Sequence, residues 1–267
     1  MSRASQTGNL RAHRDQIADI VGELKRATSV LFVTGAGISA ESGLPTYRGV
    51  GGLYERDVTD EGIPIEVALS GEMLRENPAL CWKYIYQIEE ACRGAERNEA
   101  HRAIAGFERQ ISRSWVLTQN VDGFHGDAGS KNLIEIHGNV RKLRCTVCSY
   151  RTEVTDYQHL TIPPVCPVCG NLIRPEVVLF GESLPPDAVE TMQRELRTGF
   201  DIVFSIGTSS MFPYISQPVL AAIRQGVPTV EINPGETDLS SMVSHRLKLG
   251  AGEALAAIEK AMGRRWW

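Results

Sequence analysis

Apolar and polar positions along this chain repeat with two different periods. Between Asp15 and Arg26, Ile17, Ile20, Val21 and Leu24 fall at i, i+3, i+4 and i+7, which is one face of an amphipathic helix. The next segment, Ser29–Thr34, carries a continuous apolar run, Val30–Val33, and ends at Gly35-Ala36-Gly37. That is how a strand buried on both faces reads. Trp115–Leu117, Ile202–Ile206 and Thr229–Ile232 repeat the pattern, and Asn132–Ile136 is a further apolar segment. Between them, Ala100, Ala103, Ile104, Phe107 and Ile111 make one helical stripe, and Val189, Met192 and Leu196 another. Gln217–Arg224 reads as a third helix, stopped by Gly226 and Pro228. Strands alternating with helices predict an α/β protein whose parallel sheet is covered on both faces.

Two stretches break this rhythm. Residues 48–97 are irregular and then helical, with Asn77-Pro78 as a helix start. Residues 140–175 hold four spaced cysteines and the turn-forming Pro163, Pro164 and Pro167. Both are expected to be insertions that form a second, smaller module. The expected division is a discontinuous larger domain of residues 15–47, 98–139 and 176–262, the two insertions 48–97 and 140–175, and tails at 1–14 and 263–267.

Composition narrows the function classes. The 267 residues include 28 Lys and Arg against 32 Asp and Glu, for a net charge of −4. A dedicated nucleic-acid binder carries a basic domain or stripe instead, so nucleic acid is not an expected partner. No apolar run approaches the ~18–20 residues that cross a bilayer, and no secretory apolar region opens the chain. Residues 1–14 carry Arg3, Arg11 and Arg14 without an acid and read as a basic tail. Four of six cysteines sit in two Cys-x-x-Cys pairs. With no export signal, that usage points to a reducing, cytoplasmic setting and a metal site.

The pairs are Cys145-x2-Cys148 and Cys166-x2-Cys169. Each forms a tight knuckle that aims two thiolates at one point, and two knuckles make a tetrahedral S4 site suited to Zn²⁺. Four protein ligands leave no position for water, so one structural zinc ion is expected. Cys81 and Cys92 lack partner spacing and read as ordinary half-buried thiols.

Candidate chemistry gathers where the strands end. Gly35, Gly37 and Ala40 fit the loose dinucleotide pattern in which small residues let backbone N–H groups approach a pyrophosphate at a helix N-terminus. Thr118–Gly123, Gly207–Ser210 and Asn233–Gly235 also follow strands directly. In a parallel sheet all emerge at the carboxyl edge, where ligands bind. His137 follows Asn132–Ile136 and is a general-base candidate, since its ordinary pKa lies near 6.5. His125 competes for that role, and periodicity and spacing do not separate the two.

Gly35-Ala-Gly-Ile-Ser-Ala-Glu-Ser-Gly-Leu-Pro-Thr-Tyr-Arg48, Gln119-Asn-Val-Asp122, Ile136-His-Gly138, both cysteine pairs, Phe180-Gly-Glu182 and Gly207-Thr-Ser209 stand in sirtuin order. The chain therefore resembles the sirtuin (Sir2-like) NAD-dependent protein-lysine deacylases over about residues 15–262. The resemblance implies a Rossmann-like, doubly wound parallel sheet and a smaller zinc-ribbon plus helical domain formed by the two insertions, with NAD and an acyl-lysine protein or peptide meeting between them. It implies that Gly35, Ala36, Gly37, Ser39, Ala40, Gln119, Gly207, Thr208, Ser209, Asn233, Gly235 and Ala251 hold the dinucleotide, with Tyr47 and Arg48 on a loop over it. Asn120 and Asp122 would line the nicotinamide pocket, Asn120 with a part in catalysis. Phe180, Gly181 and Glu182 would border a peptide channel in which the substrate backbone adds as a strand. In the implied reaction the acyl oxygen attacks C1′ of the nicotinamide ribose and nicotinamide leaves. His137 then acts as general base on a ribose hydroxyl, which attacks the acyl (imidate) carbon, and water completes the transfer by releasing the lysine. The products are free lysine, nicotinamide and O-acyl-ADP-ribose.

The chain also departs from the family. Tyr47 replaces the common Phe, and Thr46 replaces an Asp, as in the subgroup that includes bacterial and desuccinylating members. The Tyr-x-x-Arg pair with which that subgroup binds acidic acyl groups falls on Ile85 and Ile88. An unpaired carboxylate there would be costly, so neutral acyl groups are expected, acetyl first. Asp127 stands in place of the usual Arg, and Ser210–Tyr214 is rearranged. Two other functions compete: ADP-ribosyl transfer or NAD hydrolysis on the same site, and a non-enzymatic zinc-ribbon binding module with a basic patch of Arg141, Lys142, Arg144 and Arg151.

Overall fold

The computed structural model describes residues 10–44 and 58–263. In chain order its elements begin with α1 (Arg14–Arg26), β1 (Ser29–Thr34), α2 (Ile65–Ala68), α3 (Gly71–Glu76), α4 (Pro78–Cys92) and α5 (Glu99–Glu108). There follow β2 (Arg113–Thr118), α6 (Phe124–Asp127), β3 (Leu133–Glu135), β4 (Gly138–Cys145), β5 (Arg151–Glu153) and β6 (Ile173–Val177). The chain continues through α7 (Pro186–Thr198), β7 (Ile202–Ile206), α8 (Pro213–Arg224), β8 (Thr229–Ile232), β9 (His245–Leu247) and α9 (Ala251–Ala261).

The main sheet has the order β3-β2-β1-β7-β8-β9, and every pairing in it is parallel. Every residue of β1 is buried. Val30 and Phe32 pack on the face covered by α1, α5 and α9, and Leu31 and Val33 on the face covered by α7 and α8. Burial on both sides is why β1 reads as a continuous apolar run without alternation. Strand order reverses between β1 and β7, and in open parallel sheets ligands bind at the carboxyl edge beside such a switch point.

The helix expected at Asp15–Arg26 is α1, with Ile17, Ile20, Val21 and Leu24 buried. The helix expected at Gln217–Arg224 begins four residues earlier, with Pro213 in its first turn. Proline is tolerated there because its missing N–H has no partner in a first turn. Strands β4 and β5 carry little apolar periodicity, with segments GNVRKLRC and RTE. They form with β6 a separate antiparallel sheet, β5-β4-β6.

That ribbon and the helices α2–α4 share one core. Ile65, Leu74, Trp82 and Ile85 pack with Leu143, Cys145, Tyr157, Cys166 and Ile173. The indole N–H of Trp82 donates to the carbonyl of Ile173 across 3.0 Å. Asn77 starts α4 as expected, its side chain accepting from the N–H of Leu80 at 3.2 Å. Among the described residues, no helix is long and apolar enough to cross a membrane.

Candidate active site and metal centre

The loop after β1 is not a helix N-terminus. It is two three-residue 3-10 turns, Ala36–Ile38 and Ala40–Ser42. Side-chain anchors hold it in that form. Ser39 Oγ donates to Oδ2 of Asp122 at 2.7 Å, and a carboxylate oxygen of Glu41 accepts the N–H of Gly252 in the first turn of α9 at 2.9 Å. Ala251, beside Gly252, is buried. Gly37 is a contact residue within the protein: its N–H donates to the carbonyl of Gly207 at 2.8 Å, and a Cβ on it would lie 2.6 Å from the Cα of Gly207. The close approach of these two loops therefore requires glycine before any ligand is considered.

The remaining strand-end residues join the same network. Asn120 Nδ2 donates to the carbonyl of Gly35 at 3.2 Å and to Ser39 Oγ at 3.1 Å. Gln119 Nε2 donates to Thr208 Oγ1 at 2.7 Å. Asn233 Nδ2 donates to the carbonyl of Thr208 at 3.1 Å, while its Oδ1 accepts the N–H of Gly235 at 3.0 Å. Ala40, Ser209 and Gly235 are exposed at this edge. Twelve of the expected dinucleotide residues thus lie on the loops after β1, β2, β7 and β8 or at the start of α9. Tyr47 and Arg48, with Thr46, lie outside the described residues.

Asp122 is buried, and desolvation pushes its carboxyl above the ordinary range. The N–H of Phe124 at 3.0 Å and the hydroxyl of Ser39 pull in the opposite direction by bonding the ionised form.

The two histidines are resolved by their surroundings. His125 is 1% exposed, bonded through Nε2 to Thr34 Oγ1 at 3.0 Å, with the ring of His101 at 4.8 Å. Desolvation and the neighbouring His101 hold its pKa well below the usual value. It is a neutral core residue. His137 sits at the end of β3, its Nδ1 3.0 Å from the carbonyl oxygen of Gln119 and its Nε2 2.7 Å from the hydroxyl of Tyr214. A carbonyl only accepts, so Nδ1 carries the hydrogen and Nε2 presents a lone pair. Burial lowers its pKa, partly offset by the bond to Gln119. Spacing alone carried no signal for Tyr214.

Phe180 is tied to the helical insertion: its N–H donates to the carbonyl of Leu69 at 2.9 Å, and its carbonyl accepts from Gly71 at 3.0 Å. Gly181, exposed and at φ +78°, turns the chain into Glu182. Both oxygens of Glu182 meet the guanidinium of Arg174, at 2.5 and 2.8 Å, and one also accepts the N–H of Leu179 at 2.9 Å. Burial alone would raise the Glu182 pKa, but the bonds from Arg174 and Leu179 outweigh it and the net direction is down. Ile85 is 2% exposed in the core of the small module, and Ile88 lies half-buried at its margin.

The four cysteine sulfurs converge. All lie within 4.8 Å of one another, with Cys145 Sγ 3.4 Å from Cys169 Sγ and Cys148 Sγ 3.6 Å from Cys166 Sγ. Tetrahedral zinc with bonds of about 2.3 Å separates its sulfurs by roughly 3.8 Å, so the residues fit the ion. The N–H groups of Val147 and Cys148 donate to Cys145 Sγ at 3.4 Å each, and Asn171 Nδ2 donates to Cys169 Sγ at 3.4 Å. Such second partners orient thiolate ligands. Cys81 and Cys92 stand apart, and burial pushes both thiols up to about 12, which makes them poor nucleophiles. Cys81 is fully buried rather than half-buried.

Comparison with known proteins places this arrangement. The Sir2 family model matches residues 35–212. The NAD-dependent protein deacylase 2 of Pseudomonas aeruginosa is 50% identical over 86% of this chain and 91% of its own length. The NAD-dependent protein deacylase 1 of Caldanaerobacter subterraneus is 40% identical over 90% of this chain and 97% of its own. Among solved structures, a Sir2 homologue–NAD complex superposes with a TM-score of 0.81 at 34% identity, over 92% of this chain and 93% of that one. A Sir2–p53 peptide–NAD+ complex does so with a TM-score of 0.78 at 28% identity, over 92% and 98%.

Proposed function

The chain belongs to the Sir2 family, and from that premise we propose that it is an NAD-dependent protein-lysine deacylase. It acts on acyl-lysine proteins or peptides and carries one structural zinc ion. The observation that carries this reading is His137, held by the carbonyl of Gln119 with Nε2 directed away from that bond, beside the loops after β1, β2 and β7.

Gln119, Thr208, Asn233 and the Gly35–Ala40 loop would hold the dinucleotide. When bound, NAD supplies the ribose carbon and hydroxyls through which the acyl group leaves lysine. His137 Nε2 would take the proton of one such hydroxyl, while the Gln119 carbonyl keeps Nδ1–H in place and stabilises the ring as it becomes charged. Asn120 and Asp122, each bonded to Ser39, would shape the nicotinamide pocket. Phe180–Glu182, fixed by Arg174, would border the peptide. Zinc would hold β4–β6 to α2–α4 and take no chemical part, since four thiolates complete its coordination.

Acyl selectivity follows from what is already paired. Ile85 and Ile88 offer no cation. Arg93 is bonded to both carboxylate oxygens of Glu89 and lies over the ring of Tyr86 at 5.2 Å. The Tyr84 hydroxyl is bonded to Glu61. These pairings support neutral acyl groups over acidic ones. Three of the four residues of the basic patch are similarly committed: Arg141 pairs with Asp127 at 3.0 Å, Lys142 with Glu135 at 2.7 Å and Arg151 with Glu176 at 2.7 Å. That argues against nucleic acid as a partner.

Mass spectrometry of acyl-lysine peptides with and without NAD tests the reading. Loss of the acyl mass from lysine only when NAD is present supports it. Gain of ADP-ribose on protein, with the acyl group retained, would replace it with the transferase reading.

A further inference from the structure

Tyr214 lies in the first turn of α8, on a segment whose path is set just upstream. Ser210 takes φ +56°, a left-handed conformation uncommon outside glycine, and its N–H donates to Thr208 Oγ1 at 3.1 Å. The chain then turns through Met211, Phe212 and Pro213, and the ring of Tyr214 comes to rest against His137. The rings of Phe212 and Tyr214 stack at 5.4 Å and 14°, and each meets the His137 ring edge-on at 5.8 Å. Half-burial raises the Tyr214 pKa, so the phenol keeps its proton.

The bonding of His137 leaves one arrangement of hydrogens. With Nδ1–H donated to Gln119, the 2.7 Å contact at Nε2 is a bond in which Tyr214 donates. The lone pair that a sugar hydroxyl needs is therefore already engaged, by a hydroxyl with the same donor chemistry. We propose that Tyr214 is a positioning residue that stands in for the substrate's ribose hydroxyl at Nε2 of His137 and is displaced when the dinucleotide binds. The proposal rests on the reading of His137 as the base. While the crevice is unliganded, the phenol holds the ring in register. Ligand affinity is reduced by the strength of the bond that must be exchanged. A neutral hydrogen bond contributes a net amount that corresponds to roughly three- to tenfold in an equilibrium constant.

Tyr214→Phe keeps the ring and the stack on Phe212 and removes only the donor. Calorimetric titration with ADP-ribose, which carries the ribose hydroxyls and needs no turnover, should give a dissociation constant about three- to tenfold lower than for the parent chain. In ¹⁵N NMR the Nε2 resonance of unliganded His137 should move in Tyr214→Phe toward that of an unbonded acceptor. Nδ1 should stay protonated in both chains, and saturating ADP-ribose should bring the two Nε2 signals together. Melting curves confirm that both chains are folded. Unchanged or weaker ADP-ribose affinity in folded Tyr214→Phe, or an unmoved Nε2 resonance, would overturn the proposal. His137→Ala separates the two readings. If His137→Ala is inactive while Tyr214→Phe binds no better, Tyr214 is not the stand-in but the base reading survives. Full turnover in His137→Ala would remove both.

Discussion

The hydroxyl of Ser39 donates to Oδ2 of Asp122 across 2.7 Å and so ties the loop after β1 to the loop after β2. Among the described residues, Asp122 has one other bonded partner, the backbone N–H of Phe124. Ser39→Ala would leave a buried carboxylate with half its support. Hydrogen bonds to charged groups contribute about 1.5–3 kcal/mol, which is roughly ten- to hundredfold. The expected outcome is a loss of that size in kcat/KM for NAD with zinc content unchanged. An effect under twofold would show that the bond does not position Asp122 for the reaction.

Turnover should follow the protonation of His137. Burial depresses its pKa below 6.5, so the neutral, competent form persists into mildly acidic solution. The acid limb of a kcat/KM profile should therefore titrate below the ordinary histidine value, with activity rising as pH rises. His137→Ala should abolish turnover without lowering the melting temperature by more than a few degrees.

Folding stability should carry a separate histidine signature. His101 is fully buried and its pKa is lowered to about 4, chiefly by desolvation, and desolvation also holds His125 well below the ordinary value. Below pH 6.5 the unfolded chain binds protons that the folded one refuses, so stability falls as pH falls from about 6.5 toward 4. For His101 alone the loss at pH 4 is about 2–3 kcal/mol. Urea melts between pH 4.5 and 7.5 measure it, and His101→Gln should flatten the slope.

Metal loss should unfold one module first. Cys145 and Cys166 are buried in the core that contains Trp82 and Tyr157, and structural zinc supplies folding free energy directly. Chelation, or Cys166→Ser, should release one zinc ion per chain and change Trp82 emission before the main sheet melts. A zinc-free variant with native emission and full activity would contradict this.

Acetyl-lysine peptides should outperform succinyl-lysine peptides by at least about tenfold, the cost of an unpaired carboxylate in an apolar site. Ile85→Tyr combined with Ile88→Arg should narrow that gap. A succinyl preference in the parent chain would overturn the assignment of Ile85 and Ile88 to the acyl pocket.

Much of this molecule is written in local pattern. Continuous apolar runs marked β1 and β7 because strands covered on both faces have no polar side. The two Cys-x-x-Cys knuckles marked the zinc site because ligand spacing within each knuckle is a matter of a few bonds. The loops at the carboxyl edge were legible because each follows a strand. What tertiary structure alone decided concerns groups brought together from afar. It placed β1 beside β7 and so brought the loops after them, Gly37 and Gly207, into contact. It put His125 against Thr34 and His101 in the core and left His137 at the edge, a distinction of burial that no spacing encodes. It joined the helices of residues 65–92 and the ribbon of residues 138–177 in one core that includes Cys145 and Cys166. It committed Arg93, Tyr84 and Glu41 to Glu89, Glu61 and Gly252, and set a phenol from the start of α8 against His137 just past β3. Hydrogen bonding and desolvation act through space over a few ångströms, and the order of residues along the chain carries no measure of those distances until the sheet and its helices are packed.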